Sequence, residues 1–126
     1  MDKKIINTKN APQAIGAYEQ AIVVGNMVYT SGQIALKADG TIAGECIKDQ
    51  TLQVMQNLKA VLEAAGSSLD KVIKATIFIK DMTEFNLINS VYESFFNGNY
   101  PARSCVEVAR LPKDVRVEIE AVAITL

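Results

Sequence analysis

Polar and apolar side chains alternate with period two over residues 102–108, with Arg103, Cys105 and Glu107 on one face and Ala102, Ser104, Val106 and Val108 on the other. This pattern predicts a strand. After Leu111-Pro112-Lys113-Asp114, where proline and aspartate favour a turn, the alternation resumes at Val115, Val117, Ile119, Ala121 and Ala123, opposite Arg116, Glu118 and Glu120. If these two strands pair, Arg103 and Glu118 come close to each other.

Earlier in the chain, residues 22–24 and 27–34 flank Gly25-Asn26 and predict a β-hairpin with a tight turn. Residues 37–44 carry Asp39-Gly40 and read as a loop or second turn, with room for a short strand around Thr41-Ile42. From about residue 46 to 65 the period lengthens: Thr51, Met55, Leu58, Leu62 and Ala65 recur at helical spacing, and Gly66 supplies a stop. Residues 72–80 are β-branched and alternating, hence a strand. Asp81 followed by Glu84 resembles a helix start, Phe85, Ile88, Tyr92, Phe95 and Phe96 mark a second helix, and Asn97-Gly98-Asn99 ends it.

The order is therefore β-β-α-β-α-β-β, an α+β protein, with no internal repeat, linker or low-complexity tract. Two helices cover only one face of such a sheet, yet the strand at 72–80 carries Ile73, Ile77 and Ile79 opposite Val72 and Phe78. An uncovered apolar face is costly to leave in water and usually marks an interface, so a homo-oligomer is expected.

Composition narrows the chemistry. With 126 residues, the chain is long enough for one domain with its own core. It is 49% hydrophobic and 21% charged, and 13 Lys and Arg nearly balance 14 Asp and Glu. That balance gives no electrostatic footprint for nucleic acid or an anionic membrane. The chain has no histidine, which removes Ser-His and Cys-His catalysis, histidine zinc sites and histidine general bases together. Cys46 and Cys105 lack zinc or redox spacing and fit free thiols of a reducing compartment. The first twelve residues are charged and too polar for a signal peptide, and no apolar run approaches the roughly 20 residues of a bilayer span. The expectation is a soluble cytoplasmic protein.

The segment PARSCVEVARLPKDVRVEIEA, with Ala11-Pro12 to Tyr18, Tyr29-Thr30-Ser31-Gly32-Gln33-Ile34 and Asn89 to Phe96, resembles the Rid family, also called YjgF, over nearly the whole chain. The resemblance implies a chorismate-mutase-like fold and a homotrimer with sites in the clefts between subunits. It also implies cofactor-free hydrolysis of reactive enamines and imines. Family substrates resemble 2-aminoacrylate and 2-aminocrotonate, released by pyridoxal-phosphate dehydratases, whose imine tautomers become 2-keto acids and ammonia. The family's carboxylate-binding arginine falls on Arg103, and its other site residues fall on Tyr18, Ser31, Gly32, Asn89, Cys105 and Glu118. Many relatives have proline where this chain has Ala17, which leaves the loop carrying Tyr18 less rigid.

The residue types suit that chemistry while leaving alternatives open. Arginine's planar fork holds a carboxylate through two charge-assisted hydrogen bonds, and Arg103 serves either this role or an ion pair with Glu107 or Glu118. Without histidine, a carboxylate is the natural group to aim water and move protons; Glu118 is the candidate, or else a solvated strand residue like Glu120. Cys105 either contacts substrate through its thiol or backbone N–H or is a buried structural cysteine. No neighbouring histidine or helix N-terminus activates it, so a covalent thiol mechanism is not expected. Ser31-Gly32 marks a close approach of backbone to ligand or a plain bulge, Tyr18 a pocket wall or an interface aromatic, and Asn89 a helix-surface residue that the resemblance promotes. Rival readings are a 2-keto acid sensor without turnover, a ribonuclease or translation inhibitor, and a chaperone-like surface.

Overall fold

In the computed structural model, which describes residues 2–126, β1 (Lys3–Ile6) pairs antiparallel with β2 (Ala21–Val24). Gly25 then adopts a left-handed φ of 60° and lets the chain return as β3 (Met27–Thr30), so that Val24 faces Met27. The predicted second arm does not run unbroken to Ile34. It stops at Thr30 and restarts as β4 (Gln33–Ile34), with Ser31-Gly32 between. α1 (Ile47–Ala64) follows and ends at a Gly66 of φ 78°. Then come β5 (Val72–Ile79), a 3-10 turn at Met82–Glu84, α2 (Phe85–Glu93), β6 (Ala102–Glu107), a 3-10 turn at Pro112–Asp114 and β7 (Val117–Ile124).

All strands join one mixed sheet in the order β1-β2-β3-β7-β5-β6, with β4 also on β7; only β5 and β6 run parallel. β7 is long enough to take β3 and β4 on one side and β5 on the other. Its residues Val117, Ile119, Ala121 and Ala123 point to the helices and are buried, as the period-two pattern requires. The α1 positions Thr51, Met55, Leu58, Leu62 and Ala65 are buried too, with Val54 and Val61 completing the stripe. Each large side chain so buried contributes about 1.5–3 kcal/mol of transfer free energy.

Four further expectations change. β1 was not predicted: Lys-Lys-Ile-Ile carries no alternation, and as an edge strand only Ile6 is buried. The second helix is shorter than its aromatic pattern, since Phe95 and Phe96 lie past its end, and Asp81 caps the 3-10 turn through the Thr83 N–H at 2.9 Å. Ile73 does not share a face with Ile77 and Ile79. A register shift between Val72 and Lys74 turns Val72 inward and leaves Ile73 exposed. Most important, β6 and β7 are not neighbours. β5 lies between them, pairing Ala75 with Arg103 and Phe78 with Glu118.

The expected closeness of Arg103 and Glu118 within one chain is therefore wrong twice over. Arg103, Cys105 and Glu107 register with Ala75, Ile77 and Ile79 on the helix side, whereas Glu118 registers with Phe78 on the bare side. That bare side holds exposed Ile5, Tyr29 and Val106 beside half-buried Ile22, Phe78 and Val122.

Candidate active site

Three buried amides set the backbone of the region around Glu118. Gln20 Nε2 donates to the Thr8 and Pro12 carbonyls at 3.1 and 2.8 Å, and its Oε1 accepts the Thr8 N–H at 2.6 Å, anchoring the loop that leads to Tyr18. Asn57 Nδ2 on α1 donates to the Ile34 and Leu36 carbonyls at 3.1 and 2.8 Å. Gln50 Oε1 accepts the Arg116 N–H at 2.9 Å, fixing the entry to β7. Satisfied buried amides of this kind specify one arrangement, because each would be costly to strand.

Within that frame the chain bulges at Ser31-Gly32, where the pairing with β7 slips by one residue between Tyr29 opposite Val122 and Gln33 opposite Ile119. The Ser31 N–H still reaches the Gln20 carbonyl at 2.9 Å, and its hydroxyl donates to the Glu19 carbonyl. Gly32 lies against the Glu118 carboxyl so closely that a Cβ there would collide with Oε2 and sit 2.7 Å from Cδ. Space rather than backbone angle thus favours glycine at 32, since a side chain there would have to displace the Glu118 carboxyl. Tyr18 folds back on its own loop, its hydroxyl accepting the Ile15 N–H at 3.3 Å. Together Tyr18, Ser31, Gly32, Ile34, Pro112 and Glu118 border a cavity of about 440 Å³. Burial, with Glu120 nearby, holds the Glu118 carboxyl above the usual glutamate range.

A second group assembles on the helix side. Arg103 Nη1 donates to Asn89 Oδ1 at 2.7 Å, and both border a cavity of about 390 Å³. Neither predicted ion pair forms. Glu107 instead accepts the Met82 N–H at 2.8 Å, and Glu118 is on the other face, so among the described residues no carboxylate neutralises Arg103. Cys105 lies two residues along the same face, half-buried, and burial raises its thiol pKa, with the Arg103 charge opposing. A raised pKa keeps the thiol protonated, in line with the expectation that it is no covalent nucleophile.

The seven candidate residues therefore fall into two sets, Arg103, Asn89 and Cys105 on one face and Tyr18, Ser31, Gly32 and Glu118 on the other. Neither set is a complete site for an anionic electrophile. Sequence reasoning missed Phe85 and Tyr92, whose rings lie 5.3 and 5.2 Å from the Arg103 guanidinium carbon. Their spacing with Asn89 along one helical face was the available signal. It also missed Pro112 and Ile34 beside Glu118. Among the described residues, no three His, Cys, Asp or Glu side chains gather in a way that would hold a metal ion.

The family model described as Endoribonuclease L-PSP matches residues 8–125. A RutC family protein of Pyrococcus horikoshii is 53% identical over 122 residues, covering 96% of this chain and 97% of its own length. A 2-iminobutanoate/2-iminopropanoate deaminase of Salmonella typhimurium is 49% identical over 124 residues, covering 96% of this chain and 97% of its own. The crystal structure of Escherichia coli TdcF with bound serine superposes with a TM-score of 0.93 at 49% identity, covering 98% of this chain and 99% of that one.

Proposed function

Since the chain belongs to the Endoribonuclease L-PSP family, the Rid or YjgF proteins, we propose that it hydrolyses small reactive 2-imino acids to 2-keto acids and ammonia, in sites shared between copies of a homotrimer. The observation that carries this reading is the split site. An arginine with no carboxylate partner among the described residues stands on one face, and a glutamate of raised pKa beside a glycine bulge stands on the other. One chain cannot use both on one small molecule. Two copies can, where the Arg103 side of one meets the bare face of the next. The name of the Salmonella relative supports the substrate class, and the serine held by TdcF has a carboxylate beside its α-nitrogen, as an imino acid does.

In the reaction, the Arg103 guanidinium takes the substrate carboxylate through the donors that Asn89 leaves free. Ionised Glu118 accepts a proton from water as its oxygen bonds to C2 of the protonated imine, giving a carbinolamine. Glu118 then returns that proton to the amine and takes up the hydroxyl proton as the C2–N bond breaks and the 2-keto acid forms, and the departing ammonia carries this last proton away as ammonium. A carboxyl with a raised pKa suits both directions of transfer, since its affinity for the proton lies nearer that of its exchange partners. Every step uses the chain's own groups and water, and the substrate's source is an upstream pyridoxal-phosphate dehydratase.

The test couples such a dehydratase, fed with threonine, to semicarbazide trapping of the imine. Native protein is expected to speed loss of trappable imine. Arg103→Ala raises KM at least about tenfold through loss of charge-assisted bonds, and Glu118→Gln lowers kcat by about 10²- to 10⁴-fold through loss of proton transfer. Native decay equal to the protein-free control overturns the reading. A protein that only senses 2-keto acids would keep or improve its affinity for 2-ketobutyrate in Glu118→Gln and show no rate in either form.

A further inference from the structure

Arg103 stands on an edge strand whose side chains are mostly exposed, where a long flexible cation would ordinarily sample many rotamers. Here it does not stand alone. Phe85, Asn89 and Tyr92 fall at the first, fifth and eighth positions of α2 and so share one helical face, the face that meets the Arg103 side chain of β6. Asn89 ties down Nη1, and the guanidinium carbon lies 5.3 Å from the Phe85 ring centre and 5.2 Å from that of Tyr92. Both rings are within reach of a cation–π attraction, which is directional enough to orient a planar cation.

The two rings differ in how firmly they are themselves held. Tyr92 is only 2% exposed and packs against Phe96, the ring centres 4.9 Å apart and the planes tilted by 45°, whereas Phe85 is half-buried at the start of the helix. Tyr92 is thus the fixed wall. Its hydroxyl is buried without a partner among the described residues, so the ring rather than the hydroxyl makes the contact with Arg103.

We infer that Tyr92 is a positioning residue for the anion-binding arginine: its ring, with that of Phe85, holds the Arg103 guanidinium so that the donors not taken by Asn89 stay free and aimed for an incoming carboxylate. This rests on the proposed role of Arg103, and it assigns α2 a task beyond packing. The ligand class is a small carboxylate whose binding depends on a preorganised guanidinium rather than on a flexible charge.

The experiment compares native protein, Tyr92→Leu, Tyr92→Phe and Phe85→Leu in two readouts. The first needs no activity: the Arg103 Nε–H resonance, assigned through Arg103→Lys, is expected to be ring-current shifted in the native protein, to move towards the random-coil position in Tyr92→Leu and to stay shifted in Tyr92→Phe. The second is imine hydrolysis, where Tyr92→Leu is expected to raise KM about two- to fivefold with little change in kcat, as loss of one exposed cation–π contact implies. Tyr92→Phe recovers the native KM and is at least as stable, because it removes a stranded hydroxyl. If Tyr92→Leu fails to fold, Phe85→Leu carries both readouts with the same expected direction. An unshifted native resonance overturns the inference, as does a folded Tyr92→Leu with native KM or a Tyr92→Phe as impaired as Tyr92→Leu. A native protein that neither binds 2-ketobutyrate nor hydrolyses imine overturns the proposed function instead, and the resonance alone then decides the positioning.

Discussion

Gly32 and Glu118 constrain each other, because the glutamate carboxyl occupies the space that a Cβ at 32 would need. Gly32→Ala is therefore expected to displace the carboxyl and lower kcat, with thermal stability falling modestly; native kcat in this variant would show that the contact does not set the carboxyl's place. The same burial that crowds Glu118 raises its pKa, chiefly through desolvation and secondarily through Glu120. Two pH effects follow. Glu118 must be ionised to take a proton from water, so the acid limb of kcat/KM should lie above the ordinary glutamate value of about 4.3. For stability the sign is reversed. A carboxyl whose folded pKa is raised supports folding while protonated, and this support is lost as pH rises through the folded value. Glu118→Gln should thus melt higher than native protein at pH 7, with the difference closing as the pH drops below the ordinary glutamate range. A difference that is constant with pH would remove burial of the charge as its cause.

At the scale of elements, one ion pair joins the strand of Glu118 to the turn that launches α2: Arg116 Nη2 meets Glu84 Oε2 at 2.7 Å, while its Nη1 donates to the Glu45 carbonyl at 2.9 Å. The Glu84 side chain is only 15% exposed and its other oxygen is already buried without a partner among the described residues. Arg116→Ala should accordingly cost about 1–3 kcal/mol in urea unfolding, because it strands an acceptor rather than merely deleting a bond. A loss near zero would mean that water reaches Glu84 freely. The elements that carry such contacts were largely legible in the chain. Period-two runs gave the hairpin, β5, β6 and β7, and the helical period gave α1 with its buried stripe. Strand neighbours were not legible, since alternation specifies which residues share a face but not which strand lies beside it, and β5 takes the place between β6 and β7 through a parallel pairing that leaves no local mark. The Ile73 bulge escaped for a related reason: an extra residue inverts the alternation without changing the residue types. The site residues themselves came from the family resemblance, and only the strand order of the fold divides them into two sets.

For the whole molecule, that division and the bare sheet face lead to the same assembly. Ile5, Tyr29, Ile73 and Val106 stand exposed on or beside a surface that no helix covers, and the Glu118 cavity opens on the same face. A second copy of the chain is the apolar cover proposed for this face. Sedimentation at micromolar concentration should give about three times the 13.7 kDa chain mass, and a monomeric mass would end the shared-site reading. Mixing variants tests the geometry more sharply. Assayed at substrate well below the native KM, Arg103→Ala and Glu118→Gln proteins are each expected to retain at most about a tenth of native activity alone. Unfolded together in equal amounts and refolded, they should form mixed trimers in which, on the shared-site proposal, each site draws its arginine from one copy and its glutamate from another. Half of the arginine donors and half of the glutamate donors are intact, so about a quarter of the sites regain both groups and about a quarter of native activity should return. A site contained within one chain would regain nothing on mixing, because no single chain carries both residues. Recovery near a quarter thus distinguishes a cleft between copies from any arrangement in which one subunit's Arg103 reaches its own Glu118.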